Sequence, residues 1–343
     1  MASPPDLPGS PALDVLLERA AGGQPRAVAR LITLVENGDP ASVRTVMRRL
    51  APVSGRAHVV GLTGPPGAGK STTTAALVGT ARRAGLRVGV LAVDPSSPFT
   101  GGALLGDRVR MQHHAGDREV FIRSMATRGH LGGLSAATVQ ALRVFDLAGC
   151  DLTLVETVGV GQSEIDIAGA CDTAIVLLAP GMGDGVQVAK AGILEIGDIL
   201  VVNKADRDGA PALLRELRTM VGMARYTQPG RTPPGVPAQA GGTADDPSWR
   251  PPIVKTVASQ GEGIDELWTK IGEHRTHAQA TGGWDRRRLS RARTEVSALV
   301  HGVVRRRLLG TVDLVDSLSA QIRDGDLDPY SAADELLRRL VSG

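Results

Sequence analysis

The stretch Gly64-Pro65-Pro66-Gly67-Ala68-Gly69-Lys70-Ser71, followed by Thr72, fits G-x-x-x-x-G-K-[ST]. Its glycines let backbone N–H groups wrap a phosphate chain while the lysine reaches the outer phosphates. The flanks supply the context the motif needs. His58 to Leu62 (HVVGL) is a short apolar run ending at the loop, and the alanine-rich Ser71 to Ala84 reads as a helix. Strand, glycine loop and helix in that order predict an α/β fold of the P-loop NTPase kind, with a mostly parallel sheet and helices on both faces.

The loop grips phosphate and is blind to the base. A second stretch, Asn203-Lys204-Ala205-Asp206, follows the apolar run ILVV (Ile199 to Val202) and reads the base. An Asn amide can bond the N7 edge of guanine, and an Asp carboxylate accepts from the N1 and N2 hydrogens that adenine does not offer. Val257-Ala258-Ser259, before QGEGI, lies where a loop capping the base with backbone N–H groups is expected. Of 39 basic residues only Lys70, Lys190, Lys204, Lys255 and Lys270 are lysines, and two of these fall inside the motifs. A planar guanidinium cannot replace the compact ammonium in a tight phosphate loop. Lys190 reads either as surface decoration or as part of the site.

Outward from these motifs, strand candidates are Val59–Leu62, Arg87–Val93, Val120–Ser124, Leu152–Glu156, Thr173–Leu178, Ile199–Val202 and Ile253–Ala258. Leu13 to Leu50 carries helical spacing in Leu16, Ala20, Val28, Leu31, Leu34, Val43 and Leu50 after a Pro/Ser-rich start. The domain reading is an N-terminal helical extension over 1–55, a nucleotide domain over 56–275 and a helical region over 276–343. Tyr226 to Pro252 is a Pro/Gly-rich loop, with Trp249 available to anchor it. Ile264 to Leu309 reads as long helices, with Leu289, Val296, Leu299, Val303 and Leu308 on one stripe. The arginine runs 286–288 and 305–307 read as a solvated face.

Composition narrows the classes. Hydrophobic residues make up 42% and aromatics 2%, so the core is aliphatic. A formal charge of +3 advertises neither nucleic acid nor membrane. The acidic N-terminus lacks an apolar core of a signal peptide, and no run reaches the roughly 20 residues of a membrane span. Cys150 and Cys171 form no C-x-x-C pair, which points to a reducing cytoplasm. His113, His114 and His130 show no metal spacing.

A nucleotide site of this kind needs Mg2+ and a sensor of the third phosphate. Ser71 offers a hydroxyl, and Asp94, Asp107 and Glu156 are the carboxylate candidates, with N-caps or loop positions as their ordinary alternative. In ETVGVGQSE, a glycine follows Glu156 at three residues, as in a switch that senses the γ-phosphate. Gln162 falls three residues beyond Gly159 rather than beside it, so intrinsic hydrolysis is expected to be slow. PGMGDGVQVAK (Pro180 to Lys190) has the composition of a mobile loop.

The residues GLTGPPGAGKST (Gly61 to Thr72), VDPSSPFTGGALLGDRVRM (Val93 to Met111), DLTLVETVGVGQSEIDIA (Asp151 to Ala168) and NKAD together resemble the MeaB/ArgK family of GTPases associated with methylmalonyl-CoA mutase. The resemblance implies a homodimeric GTPase that uses GTP and Mg2+, binds an adenosylcobalamin-dependent acyl-CoA mutase, gates cofactor loading and protects the mutase. Carried over, Gly64, Pro65, Pro66, Gly67, Ala68, Gly69, Lys70, Ser71 and Thr72 hold phosphates. Ser71, Asp94, Asp107 and Glu156 serve the metal, and Lys70, Asp107, Glu156 and Lys190 serve hydrolysis. Asn203, Lys204, Asp206, Val257, Ala258 and Ser259 hold guanine, and the C-terminal helices make the dimer. Val257 departs from the Ser usual at its place. Two rivals stay open: a nickel-insertion GTPase, for which the two cysteines are a poor ligand set, and a nucleotide-dependent binding module without turnover. The family label of an arginine/ornithine transport kinase finds no phosphoacceptor site here.

Overall fold

The strand candidates become seven parallel strands: β1 (His58–Thr63), β2 (Val88–Asp94), β3 (Val120–Ala126), β4 (Leu152–Thr157), β5 (Thr173–Leu178), β6 (Ile199–Asn203) and β7 (Ile253–Thr256). They come from a computed structural model in which residues 11–94, 116–126, 136–157, 169–182, 196–223 and 249–342 are described. The spatial order is β3-β2-β4-β1-β5-β6-β7. From β1 the chain first fills one side of the sheet and then crosses to the other at β5. The loop after β1 therefore sits where the winding reverses, the usual place for a ligand in an open α/β sheet.

Period-2 alternation sends neighbouring side chains to opposite faces. Val59 joins one buried cluster, whereas Val60 and Leu62 join another with Leu154, Ile175 and Val201. Ten helices are found among the described residues. α1 (Pro11–Ala21), α2 (Pro25–Asn37), α3 (Pro40–Leu50) and α5 (Ala136–Leu147) cover the Val59 face, with Leu31, Ile32, Leu50 and Phe145 fully buried. α6 (Ala210–Met223) covers the adjoining part over β5 and β6. α4 (Lys70–Arg83) and α7 (Ile264–Ala280) cover the opposite face. The N-terminal helices thus share a core with the sheet. α5 also sends in the buried Asp146, whose carboxylate accepts from the N–H groups of Gly55, Arg56 and Ala57 at 2.6, 3.1 and 2.9 Å and fixes the chain as it enters β1.

β7 is shorter than the sequence suggests. It ends at Thr256, and Val257 turns away to bridge Glu262 in antiparallel fashion, opening the loop that carries Ala258 and Ser259.

α8 (Gly283–Leu309), α9 (Val312–Asp324) and α10 (Pro329–Ser342) complete the chain. Contacts divide the structure into two compact units, Met1–Arg291 and Ala292–Gly343. Within the first, the start of α8 corrects the reading of residues 286–288 as a solvated run. Arg287 forks onto Asp198 at 2.6 and 2.7 Å, and Arg288 and Arg291 reach Asp172 at 3.0 and 3.2 Å. Both aspartates are almost wholly buried, immediately before β6 and β5, and each also accepts a backbone N–H, Asp172 from Val59 and Asp198 from Ala174. Only Arg286 of the triplet is exposed. A buried carboxylate requires such pairing, and guanidinium supplies it in bidentate form.

Histidines extend this cluster. His58 Nε2 and His274 Nδ1 each lie 2.8 Å from Thr173 Oγ1, and His274 Nε2 lies 3.3 Å from Asp198. One proton arrangement satisfies every member: His274 donates to Asp198 and accepts from the Thr173 hydroxyl, which accepts from His58. Burial pushes His58 down to about 4, with nearby Arg275, His274 and Arg288 adding to the effect against the pull of Asp172. For Asp198, burial acts upward, yet hydrogen bonds from His274 and Arg287 prevail and hold it below its ordinary value. Trp249 anchors its segment here, donating from Nε1 to the Asp198 carbonyl at 2.9 Å and packing on His274 and His277.

Candidate nucleotide site

The loop between β1 and α4 takes its shape from positions where no side chain fits. Gly64 has φ +137°, and a Cβ there would lie 2.1 Å from the Leu177 carbonyl oxygen of β5. Gly69 has φ +96°, and a Cβ there would meet the Asn203 amide at 2.2 Å. The loop thus packs its backbone directly against β5 and β6, which a non-glycine residue at either place would prevent. Gly69 caps α4, so the first turn of a 14-residue helix aims its unpaired N–H groups at the loop mouth, an arrangement that favours anions.

Lys70 opens that helix and is largely buried. Its ammonium donates to the carbonyls of Gly64 at 2.6 Å and Pro65 at 3.2 Å, spanning the loop it is expected to serve. Pro66, Gly67 and Thr72 are exposed around it, and Ala68 is buried beneath.

Asn203 and Lys204 tie the second motif to the first. Asn203 is 2% exposed; its Nδ2 donates to the Ala68 carbonyl at 2.8 Å, while its Oδ1 accepts from Thr256 Oγ1 at 3.0 Å and the Ala258 N–H at 3.2 Å. Its amide is a strut across three segments that converge at the strand ends. Lys204 stands at φ 55°, the single non-glycine positive φ among the described residues, and its ammonium donates to the Gly67 carbonyl at 2.7 Å. Backbone strain of this type is held only where surroundings determine it. Asp206 is exposed just beyond. In the loop after β7, the N–H of Val257 goes to Glu262 and that of Ala258 to Asn203, leaving exposed Ser259 at the outer end. Val257 and Ala258 are buried and Ser259 is exposed.

Glu156 sits at the end of β4 with 1% exposure. One oxygen receives Ser71 Oγ at 3.2 Å and the other Thr74 Oγ1 at 2.7 Å. Thr74 and Thr256 were not anticipated. The run Thr72-Thr73-Thr74, β-branched residues early in a helix, is the signal that could have pointed to the first. Asp94 ends β2, beside β4 in the register Ala92↔Glu156; its side chain, like the whole of Asp107 and Lys190, lies outside the described residues, as do Gly159, Gln162 and the three histidines 113, 114 and 130.

Ser71 and Glu156 present hard oxygen donors side by side, the donor chemistry Mg2+ prefers. Among the described residues no three His, Cys, Asp or Glu side chains converge on a metal position. Cys150 and Cys171 are free, buried thiols, and burial pushes both upward, away from the thiolate form that binds metal.

Known proteins resemble the chain over most of its length. A family model described as methylmalonyl-CoA mutase-associated GTPase MeaB matches residues 28–313. A Pyrococcus horikoshii protein named as a GTPase is 47% identical over 96% of this chain and 98% of its own. The mouse methylmalonic aciduria type A homolog, mitochondrial, is 33% identical over 96% of this chain and 80% of its own. A crystal structure titled LAO/AO transport system kinase superposes with a TM-score of 0.67 at 26% identity, covering 98% of this chain and 99% of that one. The chain belongs to the MeaB family of methylmalonyl-CoA mutase-associated GTPases.

Proposed function

We propose that this GTPase acts as a nucleotide-dependent chaperone for an adenosylcobalamin-dependent acyl-CoA mutase, gating cofactor loading and protecting the mutase, with methylmalonyl-CoA mutase as the first candidate. The observation that carries the nucleotide part is the three-way strut at Asn203. It joins the phosphate loop, the guanine motif and the loop after β7, so that phosphate and base are read by one connected frame. The mutase part rests on the family description and on the name of the mouse relative.

In this reading the α4 N-terminus and the glycine loop bind the β- and γ-phosphates, and Lys70 leaves its two carbonyls to pair with them. Asp206 accepts from the guanine edge. Ser71, Glu156, Asp94 and Asp107 hold Mg2+, which when bound offsets charge on the outer phosphates. Glu156 keeps the Ser71 hydroxyl turned to that position. Hydrolysis alone is slow, and the partner supplies what speeds it, acting on the segments that follow Gly159 and that run from Pro180 to Lys190. The protein works in the cytoplasm. No described helix is long and apolar enough to cross a membrane.

A homodimer is part of the proposal. Val296, Leu299, Val300 and Val303 of α8 are 40 to 62% exposed, a stripe of large apolar groups at helical spacing that a second copy can cover.

The complex itself tests the proposal. Mixed with a cobalamin-dependent acyl-CoA mutase of the same genome, the protein is expected to co-elute with it on size exclusion, with an affinity that differs between GDP and a non-hydrolysable GTP analogue. Separate elution in both nucleotides contradicts the chaperone role and leaves the GTPase assignment intact.

A further inference from the structure

We propose that Thr74 is a positioning residue for Mg2+-dependent GTP hydrolysis, its buried hydroxyl holding the Glu156 carboxylate turned toward Ser71; this rests on reading the site as one for Mg2+ and GTP. Thr74 lies in α4 three residues after Ser71, so the two hydroxyls share one helix face and meet the two oxygens of a single carboxylate. The two contacts are unequal. The Thr74 bond is 2.7 Å, within the range of a charge-assisted O–H···O⁻ bond, and the Ser71 bond is 3.2 Å.

Thr74 Oγ1 also lies 3.0 Å from the Lys70 carbonyl, the usual back-bond of a helical threonine. A hydroxyl carries one hydrogen, and the nearer, charged acceptor takes it. Helix formation does not call for a threonine here, since a β-branched residue loses side-chain freedom in a helix. Packing does not call for one either, because valine has the same shape and no buried hydroxyl to satisfy. The oxygen is what distinguishes this side chain.

Ser71 serves two partners once the ion binds, giving a lone pair to the metal and its hydrogen to Glu156, so its longer bond to the carboxylate follows the geometry the metal imposes. Thr74, 0% exposed and one turn deeper, has no such second task. With it, one carboxylate oxygen stays fixed while the other faces the mouth of the site. Without it, a carboxylate that is 1% exposed loses a hydrogen bond it cannot replace with bulk water and turns about its side-chain torsions.

The test uses Thr74→Val and Thr74→Ala as deletions of the hydroxyl and Thr74→Ser as its restoration, with two readouts. One is GTP turnover separated into kcat and KM. The other needs no turnover: the Mg2+ concentration that half-maximally slows release of a fluorescent GDP analogue. In Thr74→Val we expect kcat to fall about tenfold or more with KM changed by less than about threefold, and the Mg2+ midpoint to rise severalfold. Thr74→Ser should lie near wild type in both. In a Glu156→Gln background, Thr74→Val should add little further loss, since both act through one carboxylate. Thr74→Ala decides if valine disturbs folding, as checked by the thermal midpoint. Unchanged kcat and Mg2+ midpoint in the deletions overturn the proposal, and so does a serine variant as impaired as valine, which would make Thr74 a packing residue. Wild-type protein that fails to hydrolyse GTP would instead overturn the reading of the site, and the proposal with it.

Discussion

Asn203 uses both ends of its amide on protein groups, and this makes it the residue on which the site's rigidity turns. Asn203→Ala leaves the Ala68 carbonyl and the Ala258 N–H without their partner in a buried place, at about 1–3 kcal/mol each. The expected result is a lowered thermal midpoint together with GTP affinity reduced about 100-fold. Lys70→Ala should abolish tight GTP binding at an unchanged fold, as fluorescence titration and circular dichroism would report. Asp206→Asn should weaken GTP by about 10- to 100-fold while leaving the weak binding of ATP untouched, because only guanine offers hydrogens to that carboxylate. The identities of Lys70, Ser71 and Asp206 were legible because each falls in a short motif whose chemistry is local. The strut was not legible, since it joins Asn203 to Ala68 across 135 residues of chain. Thr74 was missed for the same reason: its partner, Glu156, is a strand end 82 residues away.

At the scale of elements, the sheet's two ends have different chemistry. Nucleotide motifs occupy the C-terminal ends of β1 and β6, while the N-terminal ends of β5 and β6 are clamped to the start of α8 by Asp172 and Asp198. Arg287→Met removes one partner of a buried pair and should cost about 3–5 kcal/mol, seen as a large fall in the denaturant midpoint. His58 adds a pH dependence. The unfolded chain protonates it near 6.5, whereas the folded protein resists until about 4. Between those values the unfolded state binds more protons, so stability declines as the pH is lowered through that window, by about 3 kcal/mol in total. Asp198, held below its ordinary value, keeps its contribution across this range and loses it only at lower pH. Urea titrations between pH 7 and 4 should show the decline in wild type and a flatter profile in His58→Gln. The strands were readable because each is a dense apolar run bounded by turn residues. The clamp was not, because three consecutive arginines suggest solvent, and only the fold brings Asp172 and Asp198 beneath two of them.

For the whole molecule, the exposed apolar stripe at Val296, Leu299, Val300 and Val303 bears on assembly. Light scattering should give a dimer of the 35.7 kDa chain, and Val296→Asp with Leu299→Asp should give a monomer that still binds GTP. The α/β fold followed from the order of strand, glycine loop and helix, since parallel strands require crossovers and a helix is the usual one. Helical extensions were visible as spacing alone; that α1 to α3 share the sheet's core was not, because periodicity reports which face is buried and not against what. Rates of GTP and ATP hydrolysis, with and without the cobalamin-dependent acyl-CoA mutase from the same genome, decide whether this frame hydrolyses GTP under the control of a mutase. We expect a slow rate with GTP, none with ATP, and a sharp rise in the GTP rate when the mutase is added; equal rates with both nucleotides, or a GTP rate indifferent to the mutase, would contradict mutase-controlled GTP hydrolysis.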